Sequence, residues 1–478
     1  MSTAAIIDHE KLEHLQIDGI DDEGRGRAVV VRGGVAWDVA VRGAMPGDIV
    51  NARVERVFGA RQLVQARRLG QLGDGAGPLH TQRSCAHDGP CPACPLHGVD
   101  VSFVAAVKQE RVRQAFADVG VHAPIDAVID GDGVRQKIKL VAGGRAGALV
   151  LGHFVPHSHV VVEASGCAHS RDDLVIAVDA VRERLDALQL GPERVVAVIA
   201  RAFVEGVAIV IVANGPCPID VQRLRPGRIA ARYYHDESGA DDGADVTVVG
   251  VAWRQQNSSG SKNAIVGGEI DAVAGTVFGT PLGQIVGSID VVHVDSFCQA
   301  DARGAARLVA AAAAFVMAGV GTDDVVLDLY AGTGAFARAL VAHGAEHVVA
   351  VESFASSVTA LSTLPKTTAV GGKVEDVIAA VLAHKPVAAV VDPPRKGLLE
   401  VSAALAASTL QRIAVVSCDV DAGARDVRAL VDGGFDVVAV VPVDLFPGSA
   451  EVEVLTLLRR RTRLEEKPLW GLSPSRSS

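Results

Sequence analysis

One thiol lies where an apolar run of the sequence gives way to polar residues. The stretch "AVVSCDVDAGARD" (414–426) places Cys418 directly after a segment that is typical of a buried strand. A buried Cys most often fills space like a small hydrophobe, but ligands of open α/β sheets bind at strand ends. A thiolate there could add to carbon 6 of a uracil and make carbon 5 nucleophilic towards an electrophilic methyl group. Pyrimidine methylation is therefore a candidate chemistry.

Such a reaction also needs a general base, because the proton on carbon 5 must leave before the thiolate can. The segment "VDLFPGSAEVEVLTLL" (443–458) offers Glu451 and Glu453 just before an apolar run. Strand alternation places both side chains on one face, so the spacing alone does not choose between them.

A second set of residues suits an adenosine-type cofactor. Gly332 and Gly334 form a turn in "DLYAGTGAF" (328–336), and Glu352 ends the next apolar run, where it could accept hydrogen bonds from ribose hydroxyls. The dinucleotide fingerprint tolerates Ala337 as its third small residue. However, Asp392 in "VVDPPRKGL" (390–398) stands in a segment with no role in hydride transfer. The set therefore favours S-adenosylmethionine over a nicotinamide cofactor.

Three clustered cysteines indicate a metal site. Cys85, Cys91 and Cys94 lie in "CAHDGPCPAC", and Cys167 follows well downstream. Four thiolates suit either zinc or a four-iron cluster. Zinc ribbons more often carry two C-x2-C pairs, and only one is present, so the pattern favours iron–sulfur.

These residues need a scaffold, and the apolar pattern predicts one. After about residue 296, apolar runs that end in small or polar residues alternate with helix-like segments, which is typical of a doubly wound, mostly parallel α/β sheet. Residues 10–70 contain short strands separated by turn residues and predict a small OB-like barrel. The region between them is mixed.

Composition narrows the class of protein. The 478 residues suffice for two or three domains, and 49% hydrophobic content excludes general disorder. Seven cysteines and an N-terminus without a basic-then-apolar pattern predict a cytoplasmic protein. The Ala-rich run 308–321 is too short to span a bilayer, so we expect a packed helix and no membrane association.

Two basic segments depart from the net charge of −10, which argues against indiscriminate nucleic-acid binding. Residues 53–68 carry five Arg against one Glu. On a strand, Arg135, Lys137 and Lys139 would share one face, as either a solvated surface or a stripe that follows RNA phosphates.

Six segments, in order, resemble motifs of the uracil-5 RNA methyltransferases. They are the Cys85–Cys94 group with Cys167, "DSFCQAD" (295–301), "DLYAGTGAF", "VVDPPRKGL", "VSCDVDAGARD" (416–426) and "VDLFPGSAEVE" (443–453). The resemblance covers nearly the whole chain. It implies a flexible segment 1–9, an OB-like TRAM RNA-binding barrel over 10–70, a mixed α+β central domain over 71–295, a class I Rossmann-like methyltransferase domain over 296–463 and a tail over 464–478.

The resemblance also implies residue roles. Cys418 matches the nucleophile and Glu453 the general base, while the positions matching S-adenosylmethionine contacts are Gln299, Tyr330, Gly332, Glu352 and Asp392. Cys85, Cys91, Cys94 and Cys167 match the [4Fe-4S] ligands of the ribosomal-RNA members, which leaves Cys217 and Cys298 as core or loop residues. Asp301, Asp419 and Glu451 replace neutral groups or a His of the family pattern and could add charge near the site.

The leading hypothesis is thus a monomeric enzyme that forms 5-methyluridine in 23S ribosomal RNA. A second hypothesis keeps the chemistry but takes tRNA as the substrate. A third is a non-catalytic RNA-binding or assembly protein, but such a protein has no need of a thiol at a strand tip opposite a carboxylate.

Overall fold

The computed structural model describes residues 6–70, 85, 91, 93–155, 158–229, 245–256, 270–282, 292–296 and 298–461. Three large sheets follow one another along the chain. No helix in these ranges is long and apolar enough to cross a membrane.

The first sheet is a six-stranded half-barrel near the N-terminus. Its strands run in the order β1-β5-β6-β4-β3-β2, and β4 and β6 pair in parallel. Their bounds are β1 Lys11–Gln16, β2 Gly19–Ile20, β3 Gly26–Arg32, β4 Val35–Arg42, β5 Ile49–Phe58 and β6 Leu63–Arg68. Alternate residues of these strands fill its core, among them Val39, Val41, Val54 and Val64. The short strands expected over residues 10–70 are present.

The second sheet has eight strands and is built from the middle of the chain. The path is β12-β13-β11-β10-β7-β8-β9, with β14 paired to β13. Helix α2 packs on one face, and a short pair, β15 with β16, lies beyond it in the chain. The bounds are β7 Lys137–Arg145, β8 Ala148–Phe154, β9 Val161–Glu163, α2 Asp172–Ala187, β10 Val195–Phe203, β11 Gly206–Ala213, β12 Arg228–Ile229, β13 Val246–Gln255, β14 Ile270–Gly275, β15 Phe278–Gly279 and β16 Val292–His293.

The third sheet has seven strands in the order β19-β18-β17-β20-β21-β23-β22. Strands β17 to β21 pair in parallel, and β23 runs antiparallel to both of its neighbours. The bounds are α3 Ala302–Met317, β17 Val325–Leu329, α4 Ala335–Ala342, β18 His347–Glu352, α5 Ala355–Leu361, β19 Thr367–Gly371, α6 Val374–Leu382, β20 Ala388–Val391, α7 Val401–Ala407, β21 Arg412–Ser417, α8 Val420–Asp432, β22 Phe435–Val443 and β23 Glu453–Arg460. The order reverses beside β17, and ligands bind at such switch points.

Helices cover both faces of the third sheet. Helices α3, α4 and α5 pack on one face and α6, α7 and α8 on the other. The second group is joined by α1 (Val101–Asp118), whose Val112 and Phe116 belong to the same apolar core. The chain after α1 forms parallel bridges from Ile125 to Val440 and from Ile129 to Val443. A segment that precedes the second sheet thus completes the third.

The basic residues around β7 do not form one exposed stripe. Strand β7 begins only at Lys137, and Arg135 lies before it in an isolated bridge to Ser170. Lys137 points inwards, where its Nζ donates to the carbonyl oxygens of Asp295 at 2.9 Å and Ser296 at 3.0 Å. The stripe is broken because Arg135 lies outside the strand and because two carbonyl oxygens, of Asp295 and Ser296, bind the ammonium group of Lys137.

Candidate active site

The turn between β17 and α4 leaves open space above its backbone. Tyr330 and Gly332 have left-handed φ angles of 62° and 54°. The Gly332 N–H donates to Glu352 Oε2 at 2.9 Å, which ties the turn to the end of β18. A Cβ added to Gly332 would meet no described atom within 4 Å. A ligand can therefore lie directly against this turn.

A carboxylate that the motif comparison does not single out supports the same turn. Asp328, inside β17, is fully buried, and its Oδ2 accepts a hydrogen bond from Ala337 N at 2.8 Å. Burial raises the pKa of Asp328 to about 7. The signal in the sequence is an acidic residue within an otherwise apolar strand. Asp328 holds the first turn of α4 in place beneath the glycines.

A cavity of about 420 Å³ opens beside this turn. Gln299, Tyr330, Gly332 and Asp392 all line it, so four of the five predicted cofactor positions come together. Apolar side chains, including Phe336 and Leu364, line the rest. We call it the first cavity, and its size is typical of a small-molecule site.

Glu352, the fifth predicted cofactor position, lies at the end of β18 and is 8% exposed. Besides Gly332, its carboxylate accepts hydrogen bonds from Ser353 N at 2.6 Å and Phe354 N at 2.9 Å. These bonds fix the carboxylate at the tip of the strand next to the glycine turn. Ser353 Oγ also donates to Oε1 at 3.1 Å, so Oε1 is fully used, whereas Oε2 accepts only the Gly332 bond and keeps a lone pair for one ligand hydroxyl.

Asp392, Cys418 and Glu453 meet at the carboxyl ends of β20 and β21 and the start of β23. Burial, with the Glu453 and Asp392 carboxylates acting in the same direction and Arg395 opposing them, raises the pKa of Cys418 to about 11. Burial, reinforced by Asp392, also raises the pKa of Glu453. Strand β21 pairs with β20 on one side and with β23 on the other, where Ser417 lies opposite Val454, so the three side chains stand on neighbouring strand ends.

Glu451 and Glu453 have different surroundings, contrary to the expectation that one face carries both. Strand β23 begins only at Glu453, which is 1% exposed and whose Oε1 has no hydrogen-bond partner. Glu451 lies before the strand, is exposed, and forms an ion pair with Arg395 at 3.2 Å. Of these two glutamates, Glu453 is the one with a buried carboxylate oxygen available for proton transfer.

A second cavity, of about 580 Å³, lies on the Cys418 side. Its lining comes from the half-barrel, from α1, from Arg135 just before β7 and from the loops that follow β20 and β21 and precede β23, so the half-barrel lies over the site. Arginines from each part line it together with Cys418 and Glu451: Arg25, Arg42, Arg111, Arg135 and Arg395. Glu23, Glu55 and Glu451 line the cavity too, and ion pairs join Arg25 to Glu23, Arg42 to Glu55 and Arg395 to Glu451. Guanidinium groups pair well with phosphates, so a phosphate bound here would exchange places with these carboxylates.

The half-barrel is fixed over the site by a small apolar cluster. Met45 of the half-barrel packs with Leu96, Val104 and Ala450. Leu96 N also donates to Gly448 O at 2.9 Å, next to Ala450 in the loop before β23. The loop that leads into Glu453 is therefore held from two sides.

Lys108 of α1 holds the same loop from within. Its side chain is fully buried, and Nζ donates to Asp444 Oδ1 at 2.6 Å and to Phe446 O at 3.3 Å. Burial lowers the pKa of Lys108, while the neighbouring Asp444 carboxylate opposes this shift. The ion pair fixes the direction in which the chain enters β23.

The acidic residues at positions 301 and 419 act as helix caps. Asp301 is fully buried and accepts hydrogen bonds from Gly304 N at 2.8 Å, Asp132 N at 2.7 Å and Gly133 N at 2.8 Å. Asp419 accepts one from Ala422 N at 2.9 Å at the start of α8. Their charge is taken up by backbone donors, as is typical of an N-cap.

The four predicted metal-ligating cysteines influence each other electrostatically. Burial raises the pKa of Cys94 to about 12, with Arg135 opposing this shift and Cys167, Cys91 and Cys85 acting in the same direction as burial. Nevertheless, in the part of the chain that the structure describes, no three His, Cys, Asp or Glu side chains are arranged to hold a metal ion. Residues 86–90 and 92, which separate these thiols, lie outside that part. Cys217 and Cys298 lie elsewhere and are both half-buried.

Comparison with known proteins gives two relatives that extend along most of the chain. It is 29% identical over 470 residues to the 23S rRNA (uracil(1939)-C(5))-methyltransferase RlmD of Chromohalobacter salexigens, covering 95% of this chain and 91% of that protein. It is also 29% identical over 452 residues to an uncharacterised RNA methyltransferase of Gloeobacter violaceus, covering 88% and 91%. No family model matches the chain.

The fold is also found among solved structures. The tRNA (uracil-54, C5)-methyltransferase of Pyrococcus abyssi, solved in complex with S-adenosyl-L-homocysteine, superimposes with a TM-score of 0.65 at 18% identity, covering 94% of this chain and 100% of that one. The chain is therefore similar along nearly its whole length to RNA methyltransferases, and it shares the Rossmann-like fold of one of them.

Proposed function

We propose that this protein is an S-adenosylmethionine-dependent RNA methyltransferase that forms 5-methyluridine through a covalent bond between Cys418 and carbon 6 of the uracil. The observation that carries the proposal is the position of Cys418, which lines the second cavity, beside Asp392, which lines the first. A methyl donor in one cavity and a nucleotide in the other would meet at these residues. The RNA methyltransferase names of the relatives agree with this arrangement.

The chemistry begins at Cys418. Its sulfur attacks carbon 6 of the uracil, and the electrons of the 5,6 double bond move onto the ring as an enolate. Arg395 favours the thiolate, because its cation opposes the burial that raises the pKa of Cys418. A uridine must leave its stack to reach this thiol, at a cost of a few kcal/mol that is least in an unpaired segment. The arginines of the second cavity would offset that cost by binding phosphates.

S-adenosylmethionine, when bound, supplies the electrophilic methyl group. The residues that would hold it line the first cavity or its edge, with Glu352 for the ribose and Gln299, Tyr330, Gly332 and Asp392 around the rest. The open space over Gly332 fits such a ligand.

Glu453 then acts as the general base. It takes the proton from carbon 5, the electron pair of that C–H bond re-forms the 5,6 double bond, and the sulfur of Cys418 leaves. Burial that raises the pKa of Glu453 makes its carboxylate a better proton acceptor than an exposed glutamate.

We favour ribosomal RNA as the substrate. The relative named as a 23S rRNA methyltransferase aligns with almost the whole chain, whereas the likeness to the tRNA enzyme is one of fold. Transcripts of both kinds belong in the test.

The test uses RNA that contains 5-fluorouridine, because fluorine cannot leave as a proton does. With S-adenosylmethionine, wild-type protein should form an adduct with one RNA class that survives denaturing electrophoresis. Cys418→Ala should form none while retaining S-adenosylhomocysteine binding. The control is Cys217→Ala, which should form the adduct normally. If Cys418→Ala still methylates RNA, the covalent mechanism is wrong.

We further propose that Cys85, Cys91, Cys94 and Cys167 hold a [4Fe-4S] cluster. The support is chemical: four thiols, three of which shift the pKa of the fourth, are a suitable donor set for iron–sulfur. Anaerobically purified protein should contain about four iron and four sulfide ions per chain. Iron and acid-labile sulfide analyses measure both. Stoichiometric zinc without sulfide would overturn this assignment.

A further inference from the structure

One wall of the first cavity comes from β10 of the second sheet and from the residue that precedes β7, and not from the sheet that carries the glycine turn. Gln136 and Arg201 line this wall, and Gln299 lies beside them. Both are polar side chains more than nine-tenths buried, with exposed fractions of 4% for Gln136 and 3% for Arg201. Neither has a role in the chemistry proposed above.

Arg201 is a buried cation with one edge occupied and one edge available. Its Nη1 donates to the carbonyl oxygens of Ser296 at 3.2 Å and His293 at 3.4 Å. Its buried Nε has no hydrogen-bond partner. A carboxylate binds a guanidinium through two parallel N–H groups, and the Nε edge provides such a pair.

Gln136 leaves an acceptor available in the same cavity. Its Nε2 donates to Gln299 O at 2.9 Å, which fixes the orientation of the amide. Its Oε1 is buried without a hydrogen-bond partner. Buried polar atoms nearly always have partners, so an orphan donor and an orphan acceptor on two side chains that line one cavity indicate a ligand with both kinds of group.

The charges around Arg201 favour an anion. Lys137 and Arg254 lie nearby, and Asp295 forms an ion pair with Arg254. Burial, together with the cations Arg254, Lys137 and Arg201, lowers the pKa of His293 to about 4. Such a shift is expected where positive charge exceeds negative charge.

We infer that Arg201 and Gln136 bind the α-amino-acid group of the methyl donor, with its carboxylate on the Nε edge of Arg201 and its ammonium on Gln136 Oε1. The inference rests on the proposed function, because it assumes that S-adenosylmethionine occupies the first cavity. An RNA phosphate could also pair with Arg201, but it would leave the Gln136 acceptor without a donor. The second sheet would then be part of the cofactor site and not only a spacer between the half-barrel and the catalytic sheet.

Two ligands that differ in this group provide the test. S-adenosylhomocysteine carries the amino-acid group, whereas 5′-methylthioadenosine has the same nucleoside and sulfur without it. Isothermal titration with Arg201→Met should show S-adenosylhomocysteine binding weakened by about tenfold or more, as expected for losing a charge-assisted pair. Binding of 5′-methylthioadenosine should change by less than about twofold, because it makes no contact there.

Three further variants sharpen the result. Gln136→Leu should also weaken S-adenosylhomocysteine selectively, by a smaller factor. Arg254→Met removes a cation of the same group that does not line the cavity, and it should leave the ratio of the two affinities unchanged. Arg201→Lys retains the charge without the fork and should lie between wild type and Arg201→Met, which covers the case in which Arg201→Met does not fold.

The outcomes separate this inference from the proposed function. If wild-type protein binds neither ligand, the proposed function fails. If wild type binds both but Arg201→Met weakens both equally, or weakens only RNA binding, the assignment of Arg201 to the amino-acid group is wrong.

Discussion

The guanidinium of Arg395 and the carboxylate of Glu451 form an ion pair of 3.2 Å at the cavity that contains Cys418. The two side chains are 66% and 47% exposed, so the pair contributes little to stability. Its importance is its position, since Arg395 is the cation that lowers the pKa of Cys418.

Removing this cation should make Cys418 less reactive. We expect Arg395→Gln to slow iodoacetamide alkylation of Cys418 at pH 8 by about two- to fivefold, because a higher pKa reduces the thiolate fraction. Mass spectrometry of the Cys418 peptide follows the rate. Lys396→Gln removes the neighbouring cation, which pairs with Glu375 at 3.0 Å, and should leave the rate unchanged. Equal slowing in both variants would contradict a specific effect of Arg395.

Glu453→Gln should stop the reaction after methyl transfer. The amide cannot accept the proton from carbon 5, so the bond to Cys418 cannot break. We expect turnover to fall by about 10²- to 10⁴-fold and the adduct to accumulate on ordinary uridine RNA, detected by denaturing electrophoresis. Glu451→Gln is the matched variant and should retain turnover without a trapped adduct. If the adduct accumulated with Glu451→Gln and not with Glu453→Gln, the assignment of Glu453 as the base would be wrong.

The buried ion pair between Lys108 and Asp444 should be costly to break. Lys108→Met leaves the Asp444 carboxylate without its cation, and we expect a loss of about 3 kcal/mol in the free energy of unfolding. Urea denaturation measures this loss. The double variant Lys108→Met with Asp444→Leu should recover part of it, because no unpaired charge remains. Additive losses in the double variant would show that the pair is not coupled.

Asp328 should make stability depend on pH. Its folded-state pKa of about 7 lies above the ordinary value of 3.8, so the protonated carboxyl favours folding below about pH 4 and this contribution is lost as the pH rises to about 7. Relative to Asp328→Asn, wild-type protein should therefore lose stability between pH 4 and 7, by on the order of 2–4 kcal/mol. Denaturation midpoints of both proteins at several pH values test this. A constant difference would mean that Asp328 stays ionised.

The sequence was informative about the third sheet because its strands are buried on both faces. Strand segments such as the one just before Cys418 are nearly all apolar. The first polar residue after such a segment therefore marks the end of the strand in the sequence. Gly332, Asp392 and Cys418 all follow such ends, and strand ends in one parallel sheet meet at one edge. Their proximity follows from topology alone.

Other features depend on contacts that no local pattern contains. The apolar face of α1 is visible in the sequence, but nothing in it shows that Phe116 packs on α8 and the third sheet. A lysine such as Lys108 would be expected on the surface of that helix. It is instead fully buried and pairs with Asp444, which lies more than 300 positions later in the sequence. Arg201 gave a signal that could have been used, namely one charged residue inside the apolar strand "VVAVIARAF".

The late completion of the third sheet bears on how the chain is made. Helix α1 and the bridges at Ile125 and Ile129 leave the ribosome long before β22, their partner, has been synthesised. Their apolar side chains must remain exposed or be shielded during the synthesis of the whole second sheet. A gene fragment encoding only residues 296–463 would lack that layer altogether, and its product would present the bare faces of α8 and β22 to solvent and aggregate. Fusing residues 101–130 to such a fragment through a short linker would restore the missing layer.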